Sequence, residues 1–374
     1  MKYIASFDIP EYKNEKRSIS LAGINVMEYM TEVYKTVNPI EIISPTRTLN
    51  QEGKYRGRNI TIAHDVTLRL PSTKGRKGKL GRIISLIWTQ LWLLSILLFE
   101  CKKNEEVIVY HSAAFMPVIK LAKKIRKFKL ILEVREIYAD ANPNINKDKE
   151  MSYFDLGDKF IFATELLNQK INKQKKPYII APGIYRKYWS DTKKFQDNKI
   201  HLVYAGNFNK TKGGAQISIS LAEYLSPDYV IHILGAGNDE SIDEIQKAIC
   251  YQNNKGGAEV RFEGELRGSD FITFLQKCDI GLSTQTIEGE FNDTSFPSKI
   301  LTYLSAGLEV ISANIPAVVT SPVGKYVHYY TSNKPGDIAS QIQNIRTTLN
   351  SDDILSLLNH QLLSDFKKMQ YQTN

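Results

Sequence analysis

Cysteine is scarce in this chain: its 374 residues include three, and no two of them form a C-x-x-C pair. That spacing argues against a cysteine-ligated zinc site and a disulfide framework, and it fits a reducing compartment. The six histidines are scattered along the chain and no D-x-D motif occurs. The first apolar run is also too short for a secretory signal peptide.

Acidic side chains are outnumbered only in the first half of the chain. Residues 1–180 contain 31 Lys and Arg against 19 Asp and Glu, whereas residues 181–374 contain 18 against 21. A strongly basic half predicts an anionic partner such as nucleic acid, a membrane surface or an acidic substrate. Zinc-finger spacing, RNA-recognition aromatic motifs and helix-turn-helix patterns are all lacking, so we do not expect nucleic acid to be the partner.

Strand-like apolar runs alternate with helix-like segments in both halves, and this alternation predicts parallel, doubly wound sheets. The length fits two domains. We therefore predict an α/β fold with two Rossmann-like domains. Their expected limits are residues 1–181 and 200–350, joined by a polar linker at 182–199 and followed by a C-terminal helix at 351–374.

A basic segment adjoins an uncharged one. Residues 54–82, interpreted as a loop, contain nine Lys and Arg but a single acid, Asp65, and residues 83–99 then contain no charge. A bilayer span needs about 20 apolar residues, and a span here would pull the first domain's sheet apart. A buried core helix and a helix that touches the bilayer both remain open. The residues expected to contact an anionic membrane are Lys74, Arg76, Lys77, Lys79, Trp88 and Trp92.

Glycines follow the predicted strands of the second half, at the sheet edge where parallel sheets bind ligands. A loop and a short helix come later, in the segment FNDTSFPSKILTYLSAGLEVISAN at 291–314. Thr294 or Ser295 can cap this helix, Pro297 suits its first turn, and Lys299 adds a cation. A capped helix start beside a lysine favours a phosphate.

These motifs, from YAGNF at 204–208 through Lys212-Gly213 to PSKILTYLSAGLEVISA, resemble the donor domain of family 4 glycosyltransferases with the GT-B fold. In that fold two Rossmann-like domains face each other across a cleft. The first half, with VIVYH at 107–111 and EVREIYAD at 133–140, resembles the acceptor domain of bacterial members that build cell-surface polysaccharides such as capsule. The resemblance covers roughly residues 1–350.

The resemblance implies sugar transfer from a nucleotide-sugar, with a UDP-sugar favoured, to a lipid-linked saccharide or glycan, with retained anomeric configuration. It implies no cofactor and no metal, and a cytoplasmic protein held peripherally at the inner face of the cell membrane. The expected donor-binding residues are Gly206, Asn207, Lys212, Gly235, Gly237, Leu266, Ser295, Ser298, Lys299 and Thr302. The expected catalytic residues are His111, Glu290, Asp293 and Lys299, and the expected acceptor-binding residues are Glu133, Glu136 and Asp140.

The sequence departs from the family pattern at the donor site. The family's two glutamates, eight positions apart, match Thr294 and Thr302, and its arginine matches Asn207. Glu288, Glu290 or Asp293 would then supply the acidic group. Two other functions therefore stay open, a nucleotide-sugar epimerase of the same fold and a non-catalytic nucleotide-sugar-binding protein. Two structural alternatives also stay open: a satisfied structural role for His111, and ion pairs between the acceptor carboxylates and nearby cations.

Overall fold

The computed structural model describes residues 1–7, 14–18, 21–142, 144–188, 192–208, 213–288, 292, 294–346 and 350–371, with only the backbone at 21–24 and 141. The chain divides into unit 1, Met1–Ile184 with Gln361–Asn374, and unit 2, Tyr185–His360. Most of the predicted linker, 182–199, therefore belongs to unit 2. The predicted C-terminal helix is shared between the two units.

Unit 1 is built on an eight-stranded sheet in the order β10-β9-β8-β7-β1-β2-β5-β4, with a separate two-stranded sheet of β3 and β6. The strands are β1 (Lys2–Ile4), β2 (Ile40–Ile43), β3 (Lys54–Tyr55), β4 (Arg58–Ala63), β5 (Val66–Leu70), β6 (Thr73–Lys74), β7 (Glu106–Tyr110), β8 (Lys129–Val134), β9 (Lys159–Phe162) and β10 (Tyr178–Ile180). In the large sheet the neighbouring strands are parallel, except that β4 runs antiparallel to β5. Its central strands are buried on both faces, which explains their continuous apolar sequences.

The helices of unit 1 are α1 (Leu21–Tyr34), α2 (Gly78–Phe99), α3 (Met116–Arg126), α4 (Tyr138–Ala141), α5 (Lys147–Phe154) and α6 (Glu165–Ile171). The second half of α2 packs into the core through Leu93, Ile96 and Leu97, beside α3 and the apolar residues of β7 and β8. Both halves of the chain were expected to alternate strands and helices, and they do.

The basic segment is not the loop that we predicted. Its first part forms β3 and the β4–β5 hairpin, and β6 returns to pair with β3. Asp65 lies at the hairpin turn with a φ of 62°, a left-handed conformation that Asp tolerates in turns. The sequence of β5, VTLRL, alternates apolar and polar residues as a half-buried strand does, and the density of Lys and Arg around it obscured that signal.

Unit 2 contains a six-stranded parallel sheet in the order β13-β12-β11-β14-β15-β16. The strands are β11 (Ile200–Ala205), β12 (Tyr229–Leu234), β13 (Glu259–Gly264), β14 (Ile280–Ser283), β15 (Glu309–Ala313) and β16 (His328–Tyr330). The helices are α7 (Gly214–Ser220), α8 (Asp239–Lys255), α9 (Gly268–Lys277), α10 (Lys299–Ser305), α11 (Pro316–Val319), α12 (Pro335–Gln343) and α13 (Ser351–Tyr371), of which α13 runs on into unit 1. The predicted α/β class with two Rossmann-like domains is confirmed.

Strand order reverses between β11 and β14. From β11 the chain adds β12 and then β13 on one side, and β14, β15 and β16 on the other. Loops leaving two strands on either side of such a reversal turn apart and open a crevice at their carboxyl ends. This point of unit 2 is therefore where the fold favours a ligand.

Candidate nucleotide-sugar site

A cavity of about 320 Å³ lies at the carboxyl ends of β11 and β14, where the strand order reverses. Its volume is at the lower end of the range for small-molecule sites. The lining residues are Tyr204, Gly206, Asn207, Thr284, Gln285, Ser295, Phe296, Pro297, Ser298 and Lys299. Of the described residues that line it, Lys299 is the cation and none carries a carboxylate.

Lys299 lies over an aromatic ring at this cavity. Its Nζ is 4.0 Å from the ring centroid of Tyr204, within the range of a cation–π contact. Burial raises the pKa of Tyr204 to about 12, so the phenol beneath the ammonium is neutral at ordinary pH. Gly206 leaves room for the lysine, because a Cβ there would lie 3.2 Å from Nζ. The ammonium of Lys299 is therefore held in the lining of the cavity, on an aromatic ring and beside a residue without a side chain.

A buried tyrosine ties α10 to the two strands that frame the cavity. The hydroxyl of Tyr303 accepts a hydrogen bond from the backbone N–H of Ala205, at 2.8 Å. Its ring lies so close to Gly281 in β14 that a Cβ there would come within 2.3 Å of it. Since Tyr303 lies one turn after Lys299, these contacts fix the position of the lysine relative to the strand ends.

The wall formed by the end of β14 is held by a polar network. The hydroxyls of Thr284 and Ser218 lie 2.7 Å apart, and both are within 2.9 Å of the carbonyl oxygen of Gly214. The hydroxyl of Tyr330 accepts from the backbone N–H of Gln285 and donates to its carbonyl oxygen. A wall with this many internal hydrogen bonds is preorganised before a ligand binds.

The predicted donor-binding residues separate into three groups. Those that line the cavity are Gly206, Asn207, Ser295, Ser298 and Lys299. Those that the structure places outside its lining are Gly235, Gly237, Leu266 and Thr302. Lys212 lies outside the described residues, as do Glu290 and Asp293, which were predicted to be catalytic. The residues of the second group were predicted to contact the donor because they follow strands or match the family's motif. They are not part of the cavity wall.

Two of those outside the lining have other local roles. A Cβ at Gly235 would lie 1.9 Å from the carbonyl oxygen of Gly206, so this glycine permits two strand ends to pack closely. The Thr302 hydroxyl donates within its own helix to the carbonyl oxygen of Ser298, at 3.4 Å. Glu288 likewise is directed elsewhere, because its carboxylate accepts from Asn333.

The predicted helix cap is wrong in its position. Thr294 and Ser295 precede the helix by several residues, and the N-cap of α10 is Ser298, whose side chain makes no capping hydrogen bond. The residues from Ser295 to Ser298 instead continue along the cavity wall. The proline at 297 favours an extended residue before it, which delays the first helical turn.

His111 was predicted to face a substrate, and the structure contradicts this. Its side chain is 1% exposed, and Nε2 lies 2.7 Å from Oε1 of the fully buried Glu150. The ring packs against those of Tyr138, Tyr153 and Phe154. His111 is therefore buried and paired through Nε2 with Glu150 of α5, as in a structural role, although its Nδ1 has no hydrogen-bond partner among the described residues and the histidine is not fully satisfied.

Glu133 is likewise not an acceptor-binding residue. Its side chain is completely buried and accepts hydrogen bonds from the hydroxyls of Tyr3, at 2.8 Å, and Tyr34, at 2.7 Å. Arg135 binds the other oxygen and also donates to the backbone carbonyl of Ala181. A buried carboxylate with this many partners has a structural role.

Asp140 and Glu136 differ in their surroundings. Asp140 accepts from Lys147 at 2.6 Å and from Lys170 at 2.9 Å. Burial would raise the pKa of Asp140, but the two lysines outweigh it and lower that pKa. Ion pairing, the alternative to acceptor binding, therefore holds for Asp140. Glu136 is half-buried, and acceptor binding by it stays a prediction.

The predicted membrane residues lie on one region of unit 1. Lys74, Arg76, Lys77 and Lys79 are exposed, and Trp88 is 53% exposed, whereas Trp92 packs partly into the core. Within the described residues α2 is the one helix long and apolar enough to cross a membrane by length and composition, and 28% of its apolar window is buried. The core interpretation therefore fits the second half of α2 and fails for the first.

The lining also includes five residues that were not among the predicted donor-binding residues. These are Tyr204, Thr284, Gln285, Phe296 and Pro297. Thr284 and Gln285 follow β14 directly, so the rule that ligands bind at strand carboxyl ends could have identified them. Tyr204 is the last residue but one of β11 and opens the YAGNF motif, but no local pattern placed its ring beneath Lys299. Among the described residues no group of three or more His, Cys, Asp and Glu is placed to hold a metal ion.

No protein-family model and no curated protein matches the sequence. Solved structures match the fold over almost the whole chain. One, described as trehalose-6-phosphate from E. coli bound with UDP-2-fluoro glucose, matches with a TM-score of 0.67 and 9% identity, covering 99% of each chain.

Two further structures are similar. A UDP-forming α,α-trehalose-phosphate synthase from Burkholderia xenovorans has a TM-score of 0.67 and 7% identity, and covers 99% of each chain. Anabaena HepE in complex with UDP has a TM-score of 0.62 and 12% identity, and covers 100% of this chain and 99% of its own. At these identities the likeness shows a shared fold.

Proposed function

We propose that this chain is a glycosyltransferase that takes a sugar from a UDP-sugar and transfers it, with retained anomeric configuration, to a lipid-linked saccharide or a glycan in cell-surface polysaccharide synthesis. One observation carries the proposal. The cavity at the strand reversal of unit 2 holds the ammonium of Lys299 and has no carboxylate among its described lining residues. This charge pattern accepts a diphosphate and does not repel it.

In the proposed reaction the site must stabilise a nucleoside diphosphate as it leaves the sugar. Negative charge grows on the diphosphate as the bond to the sugar breaks, and a cation already in place stabilises that charge without reorganising. Lys299 is assigned this role, since its ammonium lies on the Tyr204 ring at the end of β11 and Gly206 leaves room for it. The hydrogen-bonded wall at Thr284 and Gln285 keeps the cavity in shape.

Two of the similar structures support a UDP-containing donor. The E. coli structure contains UDP-2-fluoro glucose and Anabaena HepE contains UDP, and both share the fold of this chain over its full length. The Burkholderia xenovorans synthase is UDP-forming. We carry the nucleotide over to this chain as part of the proposal, together with the absence of a cofactor.

The acceptor and the location belong to the same proposal. Exposed lysines and arginines next to the exposed first half of α2 suit a protein held peripherally at an anionic membrane surface, at the inner face of the cell membrane. A lipid-linked acceptor would be presented at that surface. Sugar transfer to it is therefore expected to depend on membrane lipid.

A donor screen tests this function. The protein is incubated with UDP-, GDP- and dTDP-sugars, with and without a membrane lipid extract, and products are separated and their anomeric configuration read by NMR. Lipid-dependent transfer from a UDP-sugar with retention is the expected result. Formation of an epimer without an acceptor would replace the proposal with an epimerase, and nucleotide binding without turnover would replace it with a binding protein.

A further inference from the structure

Two lysines face each other in the small sheet of unit 1. Lys54 in β3 lies directly opposite Lys74 in β6, an antiparallel pairing that brings their Cβ atoms to about 5 Å. Like charges in this position destabilise a sheet. A two-stranded sheet has little other stability to offset this repulsion, so an anion between the ammonium groups would stabilise the pairing.

A cavity of about 410 Å³ opens at this pair, and two arginines join the lysines around it. We call it the cationic cavity and define it by Lys54, Arg56, Lys74 and Arg76. Within the part of the chain that the structure describes, none of these four side chains pairs with a carboxylate. Glu52, on the same segment, pairs with Lys77 at 2.7 Å.

The walls of the cationic cavity are built closely. The backbone N–H of Gly75 donates to the carbonyl oxygen of Gly53 at 2.8 Å. A Cβ at Gly75 would lie 2.4 Å from the backbone of Glu52, so only glycine allows the two chain segments to approach this far. The indole of Trp88 forms another wall, and its Nε1 donates to the carbonyl oxygen of Ser72 at 2.8 Å. These contacts hold the backbone segments from which the four cationic side chains extend.

The first half of α2, beside the cavity, buries small polar residues and exposes large apolar ones. In the first half of α2 the small polar residues Ser85 and Thr89 are buried. The large apolar residues are exposed there: Leu80, Ile83, Ile84, Leu86, Ile87, Trp88 and Leu91. Ile84, Ile87 and Leu91 lie at helical spacing on one face, adjacent to the cavity wall. A surface of this size that is apolar and unpaired marks an interaction site.

We propose that the cationic cavity binds the phosphate of an anionic membrane-lipid head group, with the lipid chains against the exposed face of α2. Charge complementarity and continuity support this occupant. The four cations complement the negative charge of a phosphate. Trp88 belongs both to the cavity wall and to the exposed apolar face of α2, so the two surfaces are continuous. The inference deepens the peripheral-membrane part of the proposed function, on which it rests, by naming the site and the ligand.

Vesicle binding tests the site. Vesicles of phosphatidylcholine alone and of phosphatidylcholine with phosphatidylglycerol are mixed with the protein and sedimented. The double variant Lys54→Ser, Lys74→Ser is expected to bind the anionic vesicles about 30-fold more weakly, since each lysine near the surface contributes about 1 kcal/mol. The matched control, Lys325→Ser with Lys334→Ser, removes the same charge from exposed positions of unit 2 and is expected to bind almost as the parent.

Two further measurements test the site: the melting temperature of a single variant, and competition between inorganic phosphate and the vesicles. Without lipid, Lys54→Ser is expected to raise the melting temperature, because it removes the opposed charge. Equal losses in both double variants would overturn the proposal, since net charge alone would then explain binding. So would inorganic phosphate that shifts the tryptophan fluorescence of the protein and displaces the vesicles at matched phosphate concentration, since a soluble anion would then be the ligand.

The same variants separate this inference from the proposed function. UDP binding is measured by calorimetry for each of them in the absence of lipid. If UDP does not bind to any variant while vesicle binding follows the cationic cavity, the lipid site stands and the glycosyltransferase proposal fails. If UDP binds throughout and the Lys54, Lys74 variant sediments as the parent does, the lipid site fails alone.

Discussion

The ammonium of Lys299 lies 4.0 Å from the centre of the Tyr204 ring, so the first residue of a helix rests on the end of a strand. The contact holds a long, flexible side chain at a defined place beside Gly206. A lysine held in this way meets an incoming phosphate with less loss of rotamer entropy than a freely moving one. The candidate donor site depends on this pair.

Replacing Lys299 by Ala should weaken UDP binding by about 10- to 100-fold, because a hydrogen bond to a charged group contributes about 1.5–3 kcal/mol. Isothermal titration with UDP is the measurement. Lys325→Ala is the matched control, since Lys325 also lies over an aromatic ring of unit 2, that of Tyr326, away from the cavity. Unchanged UDP affinity in a folded Lys299→Ala protein would remove this residue from the site.

Tyr303→Phe should lower both stability and donor affinity. Losing the hydroxyl leaves the buried N–H of Ala205 without its partner, a cost of about 1–3 kcal/mol. The helix that carries Lys299 also loses its tie to β11. Tyr329→Phe is the control, because that hydroxyl donates to the carbonyl oxygen of Gly324 elsewhere in unit 2. Both variants should melt earlier, and only Tyr303→Phe should bind UDP more weakly.

His111→Ala should affect stability and leave UDP binding unchanged. The imidazole is buried against three aromatic rings, and its loss opens a cavity and removes one donor from Glu150. His111→Gln retains a donor and should recover part of the melting temperature. Thermal denaturation and UDP titration are run on both. A His111→Ala protein that melts as the parent does but turns over far more slowly would restore His111 as a catalytic residue.

Glu150 should make unit 1 sensitive to acid. Burial would raise the pKa of Glu150, but hydrogen bonds from His111 and from the backbone N–H groups of Ala139 and Tyr138 lower it below the ordinary value of 4.5. A carboxyl with a lowered pKa in the folded state contributes stability that is complete above its unfolded pKa and is lost as pH falls through its folded pKa.

Melting temperatures measured from about pH 6 to about pH 3 test this contribution. Glu150→Gln should melt well below the parent near neutrality, and the difference between the two should shrink below about pH 4.5. Asp158→Asn, at a half-exposed ion pair with Lys123, serves as the comparison in the same unit. A gap between parent and Glu150→Gln that stayed constant over the range would contradict the role of the carboxylate.

Local sequence patterns were enough to predict most of the strands and helices. Strands such as β7 and β11 are continuous apolar runs, and helices such as α8 carry their own caps, so their periodicity could be read without knowing their neighbours. The glycine after β11 and the lysine of α10 were also visible, since ligands of parallel sheets bind at strand ends. Gly206 and Lys299 accordingly lie together in the cavity.

Burial of the polar candidates could not be predicted in this way. His111 is paired with Glu150, 39 positions away, and Glu133 with Tyr3, 130 positions away. A carboxylate after a strand has the same sequence signature whether it faces a ligand or a tyrosine. Only the packing of distant segments decides which partner reaches it, because burial is a property of the assembled core.

The sequence by itself determined the α/β class, the two Rossmann-like domains and the position of the candidate cavity of unit 2, because these follow from periodicity and from residues close together in the chain. Tertiary structure alone decided that α2 turns its apolar residues outward, and that Lys54 and Lys74 oppose each other. Both depend on pairings between separated segments, whose energies no local pattern records.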